Sequence, residues 1–223
     1  MIIKDYPDRD LLVLGLVDEI SNTITATLQH EERASIAVPG GTTPGPIFDD
    51  LCSVDLDWSR VDIVLTDERW VPEDSDRSNT RLLRERLLRD KAAAANLVPL
   101  YAPTDTPEES LGALEGGIRA ISPLTLVLLG MGTDKHTASI FPGADKLDAA
   151  LSPNAPPIVA MRAPGAPEPR VTLSEPVLNG AMAKHLLILG PDKRTALEQA
   201  QKQKPHDAPI AAFLRDLTVH WAE

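Results

Sequence analysis

Cysteine, long hydrophobic runs and basic residues are all scarce in this chain of 223 residues. Cys52 is its only cysteine, so no disulfide can form within the chain, and a cytoplasmic location is favoured. No apolar run approaches the roughly 20 residues that span a bilayer. The start, MIIKDYPDRD, carries acidic residues where a secretory signal needs a basic segment and then an apolar one, so we expect no signal peptide.

The scarcity of basic residues gives a formal net charge of −11, from 22 Lys and Arg against 33 Asp and Glu. Such a surface repels nucleic acids and anionic membranes, and we expect neither as a partner. An anionic small substrate remains compatible with this charge only if Lys and Arg cluster around it. The length and the 43% hydrophobic content are those of one globular domain, which we expect to span residues 1–223.

Several well-known site motifs are missing. The glycines at 40 and 41 are not followed by the Gly-Lys-Ser/Thr of a P-loop, and the G-x-G-x-x-G spacing of dinucleotide sites is absent, so we expect no nucleotide cofactor. The chain has no G-x-S-x-G nucleophile elbow, which argues against covalent catalysis. Asp134 and His136, with no cysteine nearby, do not make a closed metal-ligand set, so we expect no metal at that position.

Hydrophobic spacing predicts strands that alternate with helices. Leu12, Leu16, Ile20, Ile24 and Leu28 form one stripe of a helix over residues 10–30. This alternation predicts an α/β fold: a single-domain, open, mostly parallel sheet with helices on both faces. Residues 67–79 are predicted to be a polar loop. The Pro-rich residues 152–170 are predicted to be a surface loop that contains one short strand, at 157–160. The predicted strands are 34–38, 61–66, 97–101, 124–130, 157–160, 170–174, 186–190 and 217–222, and the later helices include 80–90, one from Thr106 and 191–201.

Two polar motifs follow predicted strands, where ligands gather in open α/β sheets. In VPGGTTP, Gly40 and Gly41 let the backbone approach a ligand, a helix N-terminus follows, and Thr42 adds a hydroxyl. In TDERWVP, Asp67 and its neighbour Glu68 can hold sugar hydroxyls. Arg69 can reach an anionic group. The alternatives are a ligand-free turn for the first motif and a solvated charge cluster for the second.

The segment LLGMGTDKHTASIFPG carries the most specific pattern. Its glycines loosen the backbone after a buried strand, and Asp134 then stands two residues before His136. A carboxylate at that spacing can orient an imidazole, the side chain best suited to base chemistry near neutral pH. The alternative is a surface histidine without a role. The other four histidines (His30, His185, His206 and His220) have no comparable setting, and we expect them to be structural or superficial.

Two further cations are candidates for binding an anion. Arg170 begins a predicted strand, and Lys193 follows Gly190 and Pro191 at the predicted start of a helix. A cation at a helix N-terminus is electrostatically unfavourable unless an anion lies beside it, which makes Lys193 a candidate phosphate ligand. For Arg194 a plain surface role is the alternative.

Together these motifs resemble, in order along nearly the whole chain, those of the bacterial 6-phosphogluconolactonases within the wider glucosamine-6-phosphate isomerase/6-phosphogluconolactonase family. VPGGTTP resembles the family's Ser-Gly-Gly-Ser-Thr-Pro loop, TDERWVP with Asn79 its Asp-Glu-Arg segment, and RVTLS its Arg-x-Thr-Leu strand. LGMGTDKHTASIFPG resembles its Gly-x-Gly-x-Asp-Gly-His-Thr-Ala-Ser-Leu-Phe-Pro-Gly signature. Two positions depart from the pattern: Pro39 replaces a serine, and Lys135 replaces a glycine.

The resemblance implies a Rossmann-like winding of the sheet, no metal or other cofactor, and hydrolysis of 6-phospho-D-glucono-1,5-lactone to 6-phospho-D-gluconate. It implies that His136 activates water and that Asp134 orients the His136 imidazole. N–H groups near Gly130–Gly132 are expected to stabilise the oxyanion. A monomer or small homo-oligomer is expected. The implied substrate-binding residues, chiefly for phosphate, are Gly40, Gly41, Thr42, Asp67, Arg69, Arg170 and Lys193.

Two alternatives belong to other function classes. A glucosamine-6-phosphate deaminase would need a further carboxylate base, and the family's deaminases carry Ile-Ala-Phe-Asn-Glu-Pro after the histidine, where this chain has Thr-Ala-Ser-Ile-Phe-Pro-Gly. A catalytically inert sugar-phosphate sensor of the kind fused to transcription regulators would be favoured by loss of His136, which is present, and the chain has no basic helix-turn-helix segment.

Overall fold

The computed structural model describes residues 1–223, with ten strands and seven α-helices numbered in chain order. The strands are β1 (Ile2–Asp5), β2 (Ala34–Val38), β3 (Val61–Leu65), β4 (Asp67–Arg69), β5 (Asn96–Val98), β6 (Leu126–Gly130), β7 (Ile158–Met161), β8 (Arg170–Leu173), β9 (Ala183–Leu189) and β10 (Leu217–Ala222). The helices are α1 (Arg9–Leu28), α2 (Gly45–Leu51), α3 (Asn79–Arg86), α4 (Leu111–Ile121), α5 (Leu147–Leu151), α6 (Glu175–Asn179) and α7 (Pro191–Ala200).

Seven strands form one open sheet in the order β1-β10-β9-β6-β2-β3-β5, and every pairing in it is parallel. The predicted open α/β architecture, with helices on both faces, is therefore confirmed. Strands β2, β3 and β6 are almost entirely apolar because both of their faces are covered. Parallel strands bring their carboxyl ends to one edge, so the loops after β2, β3, β6 and β9 meet there.

Helix α1 packs its predicted stripe into the core. Leu12, Leu16, Ile20 and Ile24 are buried, whereas the last residue of the stripe, Leu28, is half-buried at the end of the helix. The Asp8 side chain caps the helix by accepting a hydrogen bond from the Leu11 N–H. Contrary to expectation, this helix of 20 residues is long and apolar enough to meet the length and composition criterion for a membrane span. Its buried stripe places it against β2, β10 and α2 of the domain instead.

A second, three-stranded antiparallel sheet, β4-β8-β7, was not predicted. The segment expected to be a polar loop begins with β4, which pairs with β8. The Pro-rich segment around the predicted short strand contains β7, which pairs with the other edge of β8. The prediction missed β1 and α5, each five residues or fewer. The strand predicted at 97–101 is present as β5, which lies at the edge of the main sheet.

Candidate active site

A cavity of about 300 Å³ opens at the carboxyl edge of the main sheet, between the loops that follow β2, β3, β6 and β9. The small sheet closes one side through Arg69 and Arg170, and α7 closes another through Lys193. Seven of the nine predicted site residues line this cavity, all except Asp134 and Thr42. Its lining is Pro39, Gly40, Gly41, Thr43, Pro44, Asp67, Arg69, Asn79, Gly130, Met131, Gly132, His136, Ala138, Arg170, Leu187, Ile188, Leu189 and Lys193.

In the glycine loop after β2, side-chain packing requires a glycine at position 40. A Cβ at Gly40 would overlap the Asn79 side chain, whose amide nitrogen donates to the Asp67 carbonyl at 3.1 Å. The backbone N–H groups of Gly40 and Gly41 donate no hydrogen bond within the protein, and Gly41 has a φ of +83°. The loop therefore presents free donors to the cavity. The exposed Thr42 faces neighbouring surface clefts, and Thr43 takes the predicted place in the lining.

Glu68 lies beside the cavity residues but has a structural role, contrary to the expectation that it holds a substrate hydroxyl. Its side chain is completely buried, and its carboxylate accepts hydrogen bonds from the N–H groups of Arg69, Asn79 and Thr80 at 2.7–2.8 Å. The Thr80 hydroxyl donates to it as well, at 2.7 Å. A carboxylate at this position stabilises the positive N-terminal end of α3 and fixes Asn79 over the glycine loop.

Asp67 is buried and held by its neighbours. Its Oδ2 accepts a hydrogen bond of 2.5 Å from the Ser139 hydroxyl and lies 3.7 Å from a terminal guanidinium nitrogen of Arg170. Its Oδ1 accepts from the Thr66 hydroxyl at 3.2 Å. The carboxylate thus compensates one of two neighbouring guanidinium charges at the cavity wall, and leaves the second uncompensated.

That second charge belongs to Arg69, which is the direct partner of Arg170 in the antiparallel ladder of β4 and β8. Directly opposed like charges destabilise a sheet, so their pairing in the cavity wall is suited to a bound anion. The Nε of each arginine is buried without a hydrogen-bond partner. Burial lowers the pKa of Arg170 below its ordinary value, and the Arg69 charge adds to this effect against the attraction of Asp67.

His136 and Asp134 form a hydrogen-bonded pair, with 2.6 Å between His136 Nδ1 and Asp134 Oδ1. The His136 backbone N–H also donates to that oxygen, at 3.3 Å. With Nδ1–H held by the carboxylate, Nε2 of the neutral ring is left as the acceptor. The hydrogen bond from His136 holds the pKa of Asp134 below its ordinary value, although burial opposes it.

The pair needs Gly132 and is supported by Phe141. A Cβ at Gly132 would overlap both Asp134 Oδ1 and His136 Nδ1, so only glycine leaves room for the two side chains to meet. The His136 and Phe141 rings stack with centroids 4.1 Å apart. The guanidinium of Arg170, which lines the cavity, lies 5.3 Å from the Phe141 centroid. Phe141 therefore contacts both the imidazole and one of the cavity cations.

The expectation that N–H groups of Gly130–Gly132 stabilise an oxyanion needs a correction at Gly132. The Gly132 N–H donates to the His136 carbonyl at 2.9 Å and is not free. The N–H of Met131, which also lines the cavity, has no such partner. The hydrogen bond that removes Gly132 from this role closes the turn around Asp134 and His136.

Lys193 enters the cavity from the first turn of α7, where its Nζ donates to the Met131 carbonyl at 2.6 Å. Burial lowers the pKa of Lys193 below its ordinary value, and the charge of Asp134 opposes this effect. The side chain thus brings a third cation to the cavity in a protein of net charge −11. This local clustering is the condition that an anionic substrate requires.

Lys135, which replaces the family's glycine, has a φ of +71°, in the left-handed region that favours glycine. Its N–H donates to the Gly132 carbonyl, its carbonyl accepts from Ile210, and its Nζ donates to the Gln203 side chain at 2.8 Å. The backbone at this position therefore explains the family's preference for glycine. The lysine side chain points away from the cavity.

The other four histidines lie outside the cavity. His30 is exposed at the end of α1, and His206 pairs with Asp148 at the surface. His185 and His220 are buried in β9 and β10, with 2.9 Å between His185 Nδ1 and His220 Nε2.

A family model described as glucosamine-6-phosphate isomerases/6-phosphogluconolactonase matches residues 7–221. The chain is 41% identical to the 6-phosphogluconolactonase of Rhizobium meliloti over 97% of both chains, and 37% identical to that of Pseudomonas aeruginosa over 93% of this chain and 89% of the relative. A crystal structure of a 6-phosphogluconolactonase from Shewanella baltica superposes with a TM-score of 0.92 at 32% identity, covering 100% of this chain and 98% of that one. A monomeric glucosamine-6-phosphate deaminase, at 18% identity and a TM-score of 0.81, shares the fold.

Proposed function

The chain belongs to the glucosamine-6-phosphate isomerase/6-phosphogluconolactonase family, and on that premise we propose that it hydrolyses 6-phospho-D-glucono-1,5-lactone to 6-phospho-D-gluconate, a step of the oxidative pentose phosphate pathway. The observation that carries the proposal is one cavity lined both by His136, the hydrogen-bond partner of Asp134, and by three cations. The relatives that match nearly the whole chain are 6-phosphogluconolactonases.

The proposed base is Nε2 of His136. Water attacks the lactone carbonyl carbon while Nε2 takes one of its protons, and Asp134 stabilises the resulting imidazolium through Nδ1–H. The tetrahedral intermediate then collapses with cleavage of the ring C–O bond, and the imidazolium returns the proton to the departing ring oxygen. A positioned base of this kind contributes about 10²- to 10⁴-fold in rate.

The substrate phosphate is proposed to bind at Arg69, Arg170 and Lys193. Two of these cations are opposed across the ladder of β4 and β8, and the third comes from α7. These cations and His136 line the same cavity, and we expect the sugar ring to lie between the phosphate anchor and the base. Anchoring the phosphate makes the attack effectively intramolecular, which lowers the entropic barrier.

The remaining proposed ligands are neutral or acidic. The free N–H groups of Gly40 and Gly41 can donate to phosphate or to the oxyanion, as can that of Met131. Asp67 orients Arg170 and Ser139 rather than contacting phosphate. Thr42 stays outside the proposed set because Thr43 occupies the lining.

We further propose that residues 1–223 act as one catalytic domain in the cytoplasm, as a monomer or small homo-oligomer. Cavity residues come from positions between 39 and 193, so most of the chain contributes to one site. Cys52, the single cysteine, is buried, which accords with a reducing compartment. The net charge of −11 disfavours nucleic acid and anionic membranes as partners.

The test compares three compounds at equal concentration: the phosphorylated lactone, unphosphorylated gluconolactone, and glucosamine-6-phosphate. The proposal predicts rapid hydrolysis of the first above its spontaneous rate, much weaker turnover of the second, and none of the third. Deamination of glucosamine-6-phosphate would favour the isomerase side of the family. Binding of phosphorylated sugars without any turnover would favour a sensor.

A further inference from the structure

A second cluster of ionisable side chains lies between α1 and the main sheet, outside the lactonase cavity. Glu19 of α1 approaches His185 of β9 and His220 of β10, and its Oε2 is 3.8 Å from His185 Nδ1 and 3.8 Å from His220 Nε2. Those two nitrogens are 2.9 Å apart. One ligand atom from each residue thus lies within 4.8 Å of the others.

The spacing of these three atoms matches a metal coordination sphere. A point equidistant from the corners of a triangle with sides of 2.9, 3.8 and 3.8 Å lies about 2.1 Å from each corner. Zn²⁺ binds imidazole nitrogen at about 2.0–2.1 Å and carboxylate oxygen at about 2.0–2.2 Å. A metal ion at that point lies in the plane of the three atoms, so a tetrahedral Zn²⁺ site also requires the two imidazole nitrogens to move apart from their hydrogen-bond separation.

The side-chain types of the cluster also suit a metal, which binds imidazole nitrogen and carboxylate oxygen. Burial, together with the neighbouring His185, lowers the pKa of His220 to about 3, and burial lowers that of His185. Nζ of Lys4 lies 2.5 Å from Glu19 Oε1, which leaves Oε2 directed at the histidines.

A further contact orients one ligand from behind. The Tyr6 hydroxyl lies 2.9 Å from His220 Nδ1, and such a partner fixes which ring nitrogen faces a metal. With Nδ1–H donated to Tyr6, His220 presents the lone pair of Nε2 to the cluster. In the metal-free protein, the Nδ1–H of His185 then donates a hydrogen bond to Nε2 of His220. When a metal binds, His185 carries its proton on Nε2 instead, and its Nδ1 is free to bind the metal.

From this geometry we propose that Glu19, His185 and His220 bind a divalent transition-metal ion of the zinc type. Two imidazoles and one carboxylate suit Zn²⁺, Co²⁺ or Ni²⁺, whereas Mg²⁺ and Ca²⁺ require oxygen ligands. Glu19, 26% exposed at its side chain, provides the entry path, and water completes the coordination. The ion connects α1 to β9 and β10, so its role is to stabilise the fold.

The test uses full-length protein stripped of metal with a chelator and then titrated with ZnCl₂. We expect one tight site per chain by calorimetry, and a rise in Tm of about 5–10 °C at a hundredfold excess of free Zn²⁺ over the Kd. Co²⁺ should bind to the same site and give the visible absorption of a low-symmetry, His-ligated ion. Glu19→Gln keeps the shape of a partly exposed side chain and should abolish the tight site and the Tm rise.

Two control variants separate this site from other histidine-carboxylate pairs. His136→Ala removes the cavity pair and His206→Ala removes the surface pair with Asp148, and both should retain the tight site. Wild-type protein without a saturable single site would overturn the proposal. Equal zinc affinity in Glu19→Gln, or loss of the tight site in either control variant, would also overturn it. None of these outcomes depends on the lactonase activity.

Discussion

Arg69 and Arg170 face each other across the ladder of β4 and β8, and the Nε atoms of both are buried without a partner. Only one of the two is close to Asp67, at 3.7 Å. Two opposed guanidinium charges repel each other, and the proposed binding of a dianionic phosphate between them would remove that repulsion. Under the proposed function, the small sheet supports the anion site.

Replacing Arg170 with alanine should raise the KM for the phosphorylated lactone about 10- to 100-fold, the effect of losing a charged hydrogen bond to phosphate, with a smaller change in kcat. Steady-state kinetics on freshly generated lactone measure both constants. Arg162→Ala is the matched control, because Arg162 pairs with Glu108 at the surface. An equal rise in KM for unphosphorylated gluconolactone would contradict the phosphate assignment.

Gly132→Ala should lower kcat by about 10²-fold or more while the protein still folds. The new Cβ would separate Asp134 from His136 and so remove the orientation of the base. Gly116→Ala in α4 is the control, because its Cβ meets nothing within 4 Å, and this change should leave kcat unaltered and stabilise the helix by up to about 1 kcal/mol. Near wild-type kcat in Gly132→Ala would show that the hydrogen-bonded pair is dispensable.

Lys135→Gly should be more stable than Lys135→Ala by about 1 kcal/mol. Both variants lose the hydrogen bond to Gln203, but only glycine adopts the φ of +71° without strain. The free energy of unfolding in urea distinguishes them. If alanine proves as stable as glycine, the backbone conformation at residue 135 does not explain the family's glycine.

Acid should destabilise the metal-free protein between pH 6.5 and 5, before most carboxylates titrate. The pKa of His220 is about 3 in the folded state, against about 6.5 when unfolded, so the unfolded state binds more protons in this window. Stability is complete above pH 6.5 and falls by about 2 kcal/mol by pH 5. Urea unfolding across this range should show the slope, and His206→Gln, at an exposed site, should retain it.

His220→Gln should reduce that slope even if it lowers stability at pH 7, because one of the two buried histidines that gain a proton on unfolding is gone, while His185 remains. The carboxylates whose pKa is lowered by a partner, such as Asp134, contribute stability that is lost only at lower pH, as each is protonated. An unchanged slope in His220→Gln would mean that other groups set the acid sensitivity.

The main sheet could be predicted from the sequence because its strands are continuous apolar runs, as in β2 and β6, separated by helices with a clear stripe. The small sheet could not be predicted in the same way. Strand β4 has three residues, all charged, and becomes a strand only because β8 pairs with it from a hundred residues away. Local pattern carries no signal of such long-range pairing.

The candidate site likewise has features that the sequence predicts and features that depend on long-range packing. The spacing of Asp134 and His136 along the chain predicted their contact, which the structure has at 2.6 Å. The buried cap made by Glu68, the preference for Thr43 over Thr42, and the capture of the Gly132 N–H by the His136 carbonyl all depend on how loops pack against one another. Sequence spacing does not determine those orientations.

The most direct test of the account is the kcat of His136→Ala with the phosphorylated lactone, corrected for spontaneous hydrolysis, in protein whose Tm matches the wild type. The account predicts a loss of about 10²- to 10⁴-fold with little change in KM, because the phosphate anchors remain. A kcat equal to that of the wild type would contradict the assignment of His136 as the base that activates water.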